Sequence, residues 1–192
     1  VEIQIRCLNG VKPLRVIGRE AEINGNMVST RLNQLYSEQE KFIILEVEVP
    51  SQPNQSELDL VNVDLSYLDL FNQKNEILTD RISANFTRSK QKVKDAIDTK
   101  TYEAAAEQVA NELNREAIIK RDQGDIQGAK SILEKSAEYL DNLGQTLASP
   151  KLLEQKTEAL EDAEELDDEA AWSKKRKELK ERQFKRSNQQ SY

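Results

Sequence analysis

The chain has 192 residues, with 28 Lys and Arg against 35 Asp and Glu, for a net charge of −7. It has no His, one Cys and 5% aromatic residues. These counts exclude a Ser-His-Asp triad, a Cys-His pair, a His-ligated metal, a Cys₄ zinc site and an intrachain disulfide framework. The acidic balance argues against a nucleic-acid binder of the usual basic kind, and no apolar run approaches the roughly 18 residues of a membrane span.

The first 88 residues read as strands. Val1, Ile3, Ile5 and Cys7 alternate with Glu2, Gln4 and Arg6, the period of a strand with one wet face. Asn9-Gly10 marks a turn, Leu14 to Ile17 is a short second strand, and Gly18 closes it. Asn24-Gly25-Asn26 is a hairpin signal before a third strand from Met27 to Leu32. Ile43, Leu45, Val47 and Val49 alternate with Ile44, Glu46 and Glu48 in a fourth. After the polar loop Pro50 to Gln55, Val61, Val63, Leu65 and Tyr67 form one face of a fifth. Asn72 to Asn75 reads as a turn, and Ile82, Ala84 and Phe86 as one face of a sixth. Short strands with turns between them predict an antiparallel β-sandwich over 1–88 whose core takes Ile5, Val47, Val63 and Ile82.

The segment 89–97 is read as a join. The period then changes. Asp98 or Thr99 is a helix N-cap, and Ala106, Val109, Leu113 and Ala117 recur at helical steps as far as about Asp122. Gly124 breaks the helix and Asp125 caps the next. Its stripe is Ile126, Ala129, Leu133, Ala137 and Leu140, ending near Gly144. So short a connection, Gln123 to Asp125, predicts two antiparallel neighbours. Ser149-Pro150 opens a third helix with Leu152, Leu153, Leu160 and Leu166, so that 98–169 is a hairpin plus a third helix.

The end of the chain is polarised. Residues 154–169 hold nine acids and one Lys, and residues 174–186 hold eight Lys and Arg with two Glu. Such adjacent blocks attract one another or stay solvated. Residues 170–192 are expected to be a charged, disordered tail.

Each chemical candidate competes with a plainer reading. Gly124-Asp125-Ile126-Gln127-Gly128-Ala129 has the turn of a tetratricopeptide hairpin, but Lys120 takes an aromatic position and no second copy follows, so a single packed hairpin is preferred. Asp64-Leu65-Ser66-Tyr67-Leu68 begins like the Mg²⁺-holding D-x-S-x-S loop, yet Leu68 replaces the third ligand inside a strand. The acidic run 161–169 lacks the spacing of a Ca²⁺ loop. Cys7 lies on an apolar strand face and is assigned to the core. Asp64, Asp69 and Asp80 are the candidates for a carboxylate-only enzyme, but nothing converges them. Lys174 to Arg186, with Trp172 and Phe184, is a candidate contact for anionic lipid or nucleic acid. No catalytic, cofactor-binding or metal-binding residue is assigned, and no cofactor is expected.

The stretch from Leu32 to Pro50, with Tyr36, Glu38, Glu40 and the strand Phe42 to Val49, resembles a segment found just after the domain in bacterial von Willebrand factor type A (VWA) domain proteins. Leu60 to Tyr67 resembles that family's next strand, and Glu112 to Leu143 its helical hairpin, so the likeness covers about residues 1–165. It departs at Asn33, where the family usually has Gly, and at Ser37. The resemblance implies a non-catalytic accessory module that follows a VWA domain and supports protein–protein binding. The family's metal-ion-dependent adhesion site lies in the VWA domain, ahead of Val1. Val1 already stands inside a strand pattern without an initiator Met, which reads as a piece of a longer protein whose activity sits upstream. The partner expected is a protein, with the upstream VWA domain as one candidate. A single Cys is compatible with a reducing cytoplasm.

Overall fold

The computed structural model describes residues 1–33, 35 and 40–188. The fold class is α+β: two antiparallel sheets followed by helices. The chain divides into two compact units, Val1–Ile97 and Asp98–Tyr192.

The first unit contains β1 (Glu2–Cys7), β2 (Lys12–Ile17), β3 (Glu22–Asn24), β4 (Met27–Arg31), β5 (Ile44–Glu48), β6 (Glu57–Asp69), β7 (Lys74–Asn85) and the short helix α1 (Lys90–Asp95). Five strands form one antiparallel sheet in the order β3-β4-β1-β6-β7, and β2 pairs with β5 in a second. Period two sets the layering. Ile3, Ile5 and Cys7 are buried on one face of β1 while Glu2, Gln4 and Arg6 are exposed on the other. In register, Ile5 stands between Val28 and Val63, and Cys7 beside Val61. Val16, Ile43, Leu45 and Val47 of the smaller sheet's strands and approach pack onto this face. The β3–β4 loop is Gly25-Asn26, and Gly25 takes φ +61°, which a β-carbon disfavours.

Three expectations change in this unit. There is a seventh strand, β3, too short at three residues to display a period. The β6–β7 hairpin is longer than the alternation suggested, because β7 starts at Lys74 and the turn comes earlier. Ile82 is 51% exposed rather than buried, because among the described residues the second sheet has no strand beyond β5 to cover β7. Val47 and Val63 are half-buried.

The second unit contains α2 (Thr99–Asp122), α3 (Ile126–Leu147), α4 (Pro150–Glu165) and α5 (Trp172–Ser187). Its caps follow the polar residues that precede each of the first three helices. Asp98 accepts from the amides of Lys100 and Thr101, Asp125 from Gly128, and Ser149 from Leu152. Gly124, at φ +86°, makes the tight exit from α2 in a conformation that glycine adopts without the penalty of a β-carbon. Alanines let the helices approach closely. Ala106, Ala110, Leu140 and Leu152 form one cluster, and Ala117, Ala129, Leu133, Ala163 and Leu166 another.

The stripe read for α2 is rotated in the structure. Val109 and Leu113 are half-buried, while Gln108, Asn111 and Asn114 are buried. The reason is α5, which occupies part of what was expected as a disordered tail. Gln108 donates to the carbonyl of Arg186 at 3.0 Å, and Asn111 donates to the hydroxyl of Ser187 at 2.8 Å. On α4, Leu160 faces outward, and Ala159 and Ala163 take the buried positions. Residues 189–192 of the expected tail, and Tyr36, Ser37 and Glu38 of the VWA-like stretch, lie outside the described residues.

Candidate functional site

The unequal layers of the first unit leave an apolar groove of about 390 Å³. Its floor is Ile5, Val61, Val63 and Leu65 on β1 and β6, and its wall is Leu45 and Val47 on β5. Phe42 and Ile82 also line it. The register explains the gap. Val61 pairs with Ile82 and Leu65 with Leu78, so both β7 residues stand on the face that carries the core. Leu78 is 57% exposed. A two-layer sandwich ordinarily covers such residues with a second-sheet strand. Here β5 pairs only with β2 among the described residues, so its other edge is open on the groove side.

Lys41 is the one charged residue among the described residues lining the groove, and charge is ordered around it. Asp80 pairs in register with Val63 and so shares the core-side face between Leu78 and Ile82. On the outward face of β5, Glu46 meets Arg15 at 2.6 Å and Glu48 meets Lys12 at 3.6 Å.

The candidate carboxylates do not converge. Asp64 is opposite Thr79, whose hydroxyl donates to it at 2.7 Å, on the outer face of the sheet. Asp80, in the adjacent register pair, is on the inner face. Asp69 caps the hairpin turn, and its pKa falls below the usual value mainly because the amides of Phe71 and Asn72 donate to it. Ser66 stands opposite Ile77. Among the described residues no cluster of three Asp, Glu or Cys side chains is placed to hold a metal ion. Cys7 is buried at the sheet's core, and burial raises its thiol pKa, which suppresses the thiolate. A second, wider hollow of about 1100 Å³ between β2 and the β3–β4 side is lined by charges of both signs. Arg31 and Glu2 pair there at 2.6 Å.

The basic run is engaged inside the helical unit. Lys175 bridges Asp162 at 2.9 Å and Glu165 at 2.6 Å. Arg182 pairs with Asp162 and Glu158, Arg186 with Glu158 at 2.7 Å, and Arg176 with Asp122 at 2.7 Å. Trp172 packs under the guanidinium of Arg121, 5.0 Å from the ring centre. Phe184 is exposed. No described helix is long and apolar enough to cross a membrane.

The groove was only partly visible in the sequence. Alternation identified Val47, Val63 and Ile82, but nothing local shows that the second sheet has only two strands among the described residues.

Comparison with family models, with curated proteins and with solved structures found no match to this chain.

Proposed function

We propose that the chain is a non-catalytic accessory module that follows a VWA domain and supports protein–protein binding. The observation that carries the reading is the open groove beside β5, an apolar surface of the kind that marks a docking site. The likeness of Leu32 to Pro50 and Leu60 to Tyr67 to the segment after bacterial VWA domains supports the same role. The separation of Asp64 and Asp80 onto opposite sheet faces speaks for binding rather than acid–base chemistry. The internal pairing of Lys175, Arg176, Arg182 and Arg186 leaves α5 a weaker ligand for phosphates than its composition suggests.

The test uses the polypeptide encoded ahead of Val1, made separately and titrated calorimetrically into the 192-residue chain. Saturable binding, weakened about tenfold by Ile82→Lys, is expected; tenfold corresponds to about 1.4 kcal/mol. Absence of binding, or an upstream segment without a D-x-S-x-S motif on a strand-to-helix turn, overturns the reading.

A further inference from the structure

We infer that the groove takes its partner as an added β-strand, an extended segment with alternating aliphatic and basic residues that pairs with the free edge of β5. This rests on the interaction-module reading and specifies how the groove is used and by what.

Three observations select a strand. The open edge of Ile44–Glu48 presents backbone donors and acceptors with no partner strand among the described residues, and an extended segment satisfies them in one register. The groove beyond that edge is bounded by Ile82, which a further strand of the two-stranded sheet covers. Alternation then follows, since inward side chains of such a strand meet Val63, Leu78 and Ile82 while outward ones continue the Arg15–Glu46 and Lys12–Glu48 rows.

Charge selects the partner's chemistry. The outward residues of β5 beside the added strand include Glu46 and Glu48, flanked on the β2 side by Arg15 and Lys12 respectively. Lysines in the added strand complement these carboxylates. A second copy does not fit, because antiparallel pairing of Ile44–Glu48 with itself about its centre sets Glu46 against Glu46.

The probe is the capped peptide Lys-Val-Lys-Val-Lys-Val-Lys, titrated into the full chain by calorimetry, with hydrogen exchange read on the complex. Controls are the same composition scrambled as Lys-Lys-Val-Val-Val-Lys-Lys, and two peptides N-methylated on alternate amides. The alternating peptide is expected to bind about tenfold more tightly than the scrambled one and to slow exchange within residues 44–48. One N-methylated peptide is expected to bind like the parent and the other to lose binding, because only one edge of a strand donates to β5. Ile82→Lys is expected to weaken the parent peptide about tenfold. Equal binding of the scrambled peptide, equal behaviour of the two methylated peptides, or slowed exchange confined to β7 overturns strand addition. If those results come with upstream-fragment binding that Ile82→Lys still weakens, the interaction-module reading stands and only the mode fails.

Discussion

Asp162 of α4 and Lys175 of α5 meet at 2.9 Å in the seam between their helices, with the Asp162 side chain only 3% exposed. Arg182 reaches the same carboxylate from one turn pair further along α5. A buried carboxylate is tolerated only when its charge is met, and here two cations meet it. Burial disfavours the charged Lys175, but its hydrogen bonds to Glu165 and Asp162 outweigh that effect and raise its pKa. Replacing Asp162 with Ala removes the carboxylate that Lys175 and Arg182 share and leaves each cation with one glutamate, Glu165 and Glu158 respectively. The expected loss is about 3 kcal/mol of unfolding free energy, measured by urea denaturation. Pairing Asp162→Leu with Lys175→Met is expected to recover part of it, because the most buried cation goes with its carboxylate while Arg182 keeps Glu158.

The Asp122–Arg176 pair makes α5 sensitive to acid. The hydrogen bond from Arg176 is the main reason that the Asp122 pKa lies below the ordinary aspartate value; burial opposes it, while the charge of Arg176 and a hydrogen bond from Trp172 add to it. A carboxylate with a lowered folded pKa stabilises the fold above its unfolded pKa, and that contribution disappears as pH falls through the folded value. Trp172 is the only tryptophan, so its emission reports this corner. A step in emission is expected below the ordinary aspartate range of about 4. Asp122→Asn is expected to remove that step; its persistence assigns the transition to another carboxylate.

Much of the helical unit was legible, and the reason is local. Asp98, Asp125 and Ser149 cap helices because a short side-chain oxygen beside a free amide acts without tertiary help. Alternation likewise revealed the core face of β1. What escaped depends on partners distant in sequence. The packing of Gln108 and Asn111 under α5 joins residues more than 70 positions apart, and no period announces it. The exposure of Ile82 depends on the second sheet having, among the described residues, no strand over it, which no residue near Ile82 encodes. The opposed charge blocks were visible, but whether they pair or stay solvated depends on the α4–α5 turn that brings Glu158 to Arg182 and Arg186.

Gln108 holds the last turn of α5 by donating to the Arg186 carbonyl, in the turn whose carbonyls lack the regular i+4 amide of a helix interior. Gln108→Ala is expected to cost about 1 kcal/mol. The loss should appear as faster hydrogen exchange in the last turn of α5, with the interior of α3 unaffected. Equal acceleration in both helices shows instead that α5 and α3 open together.

The chain is expected to bind neither Mg²⁺ nor Ca²⁺ with micromolar affinity. Asp64 gives one acceptor to Thr79, and Leu68 occupies the position where the D-x-S-x-S loop has its last hydroxyl. The acids of α4 point partly into their own ion pairs with α5. Calorimetry with each cation at neutral pH checks this, and a stoichiometric micromolar isotherm refutes it.

Val28 and Ile82 are aliphatic residues on the same sheet, and their contrast tests whether the groove is open in solution. Val28 is fully buried between the layers. Truncation to Ala removes two methyl groups from a packed site and is expected to cost about 2–3 kcal/mol. Ile82 is half exposed in the unfilled groove, so its truncation removes little buried area and is expected to cost less than about 1 kcal/mol. Urea denaturation of the two variants measures both losses under the same conditions. If Ile82→Ala costs as much as Val28→Ala, Ile82 is covered in the free chain, and the surface assigned to a partner is already occupied. If the two differ as expected, adding the alternating peptide should increase the cost of Ile82→Ala alone, because only that side chain becomes buried when a strand lies against β5.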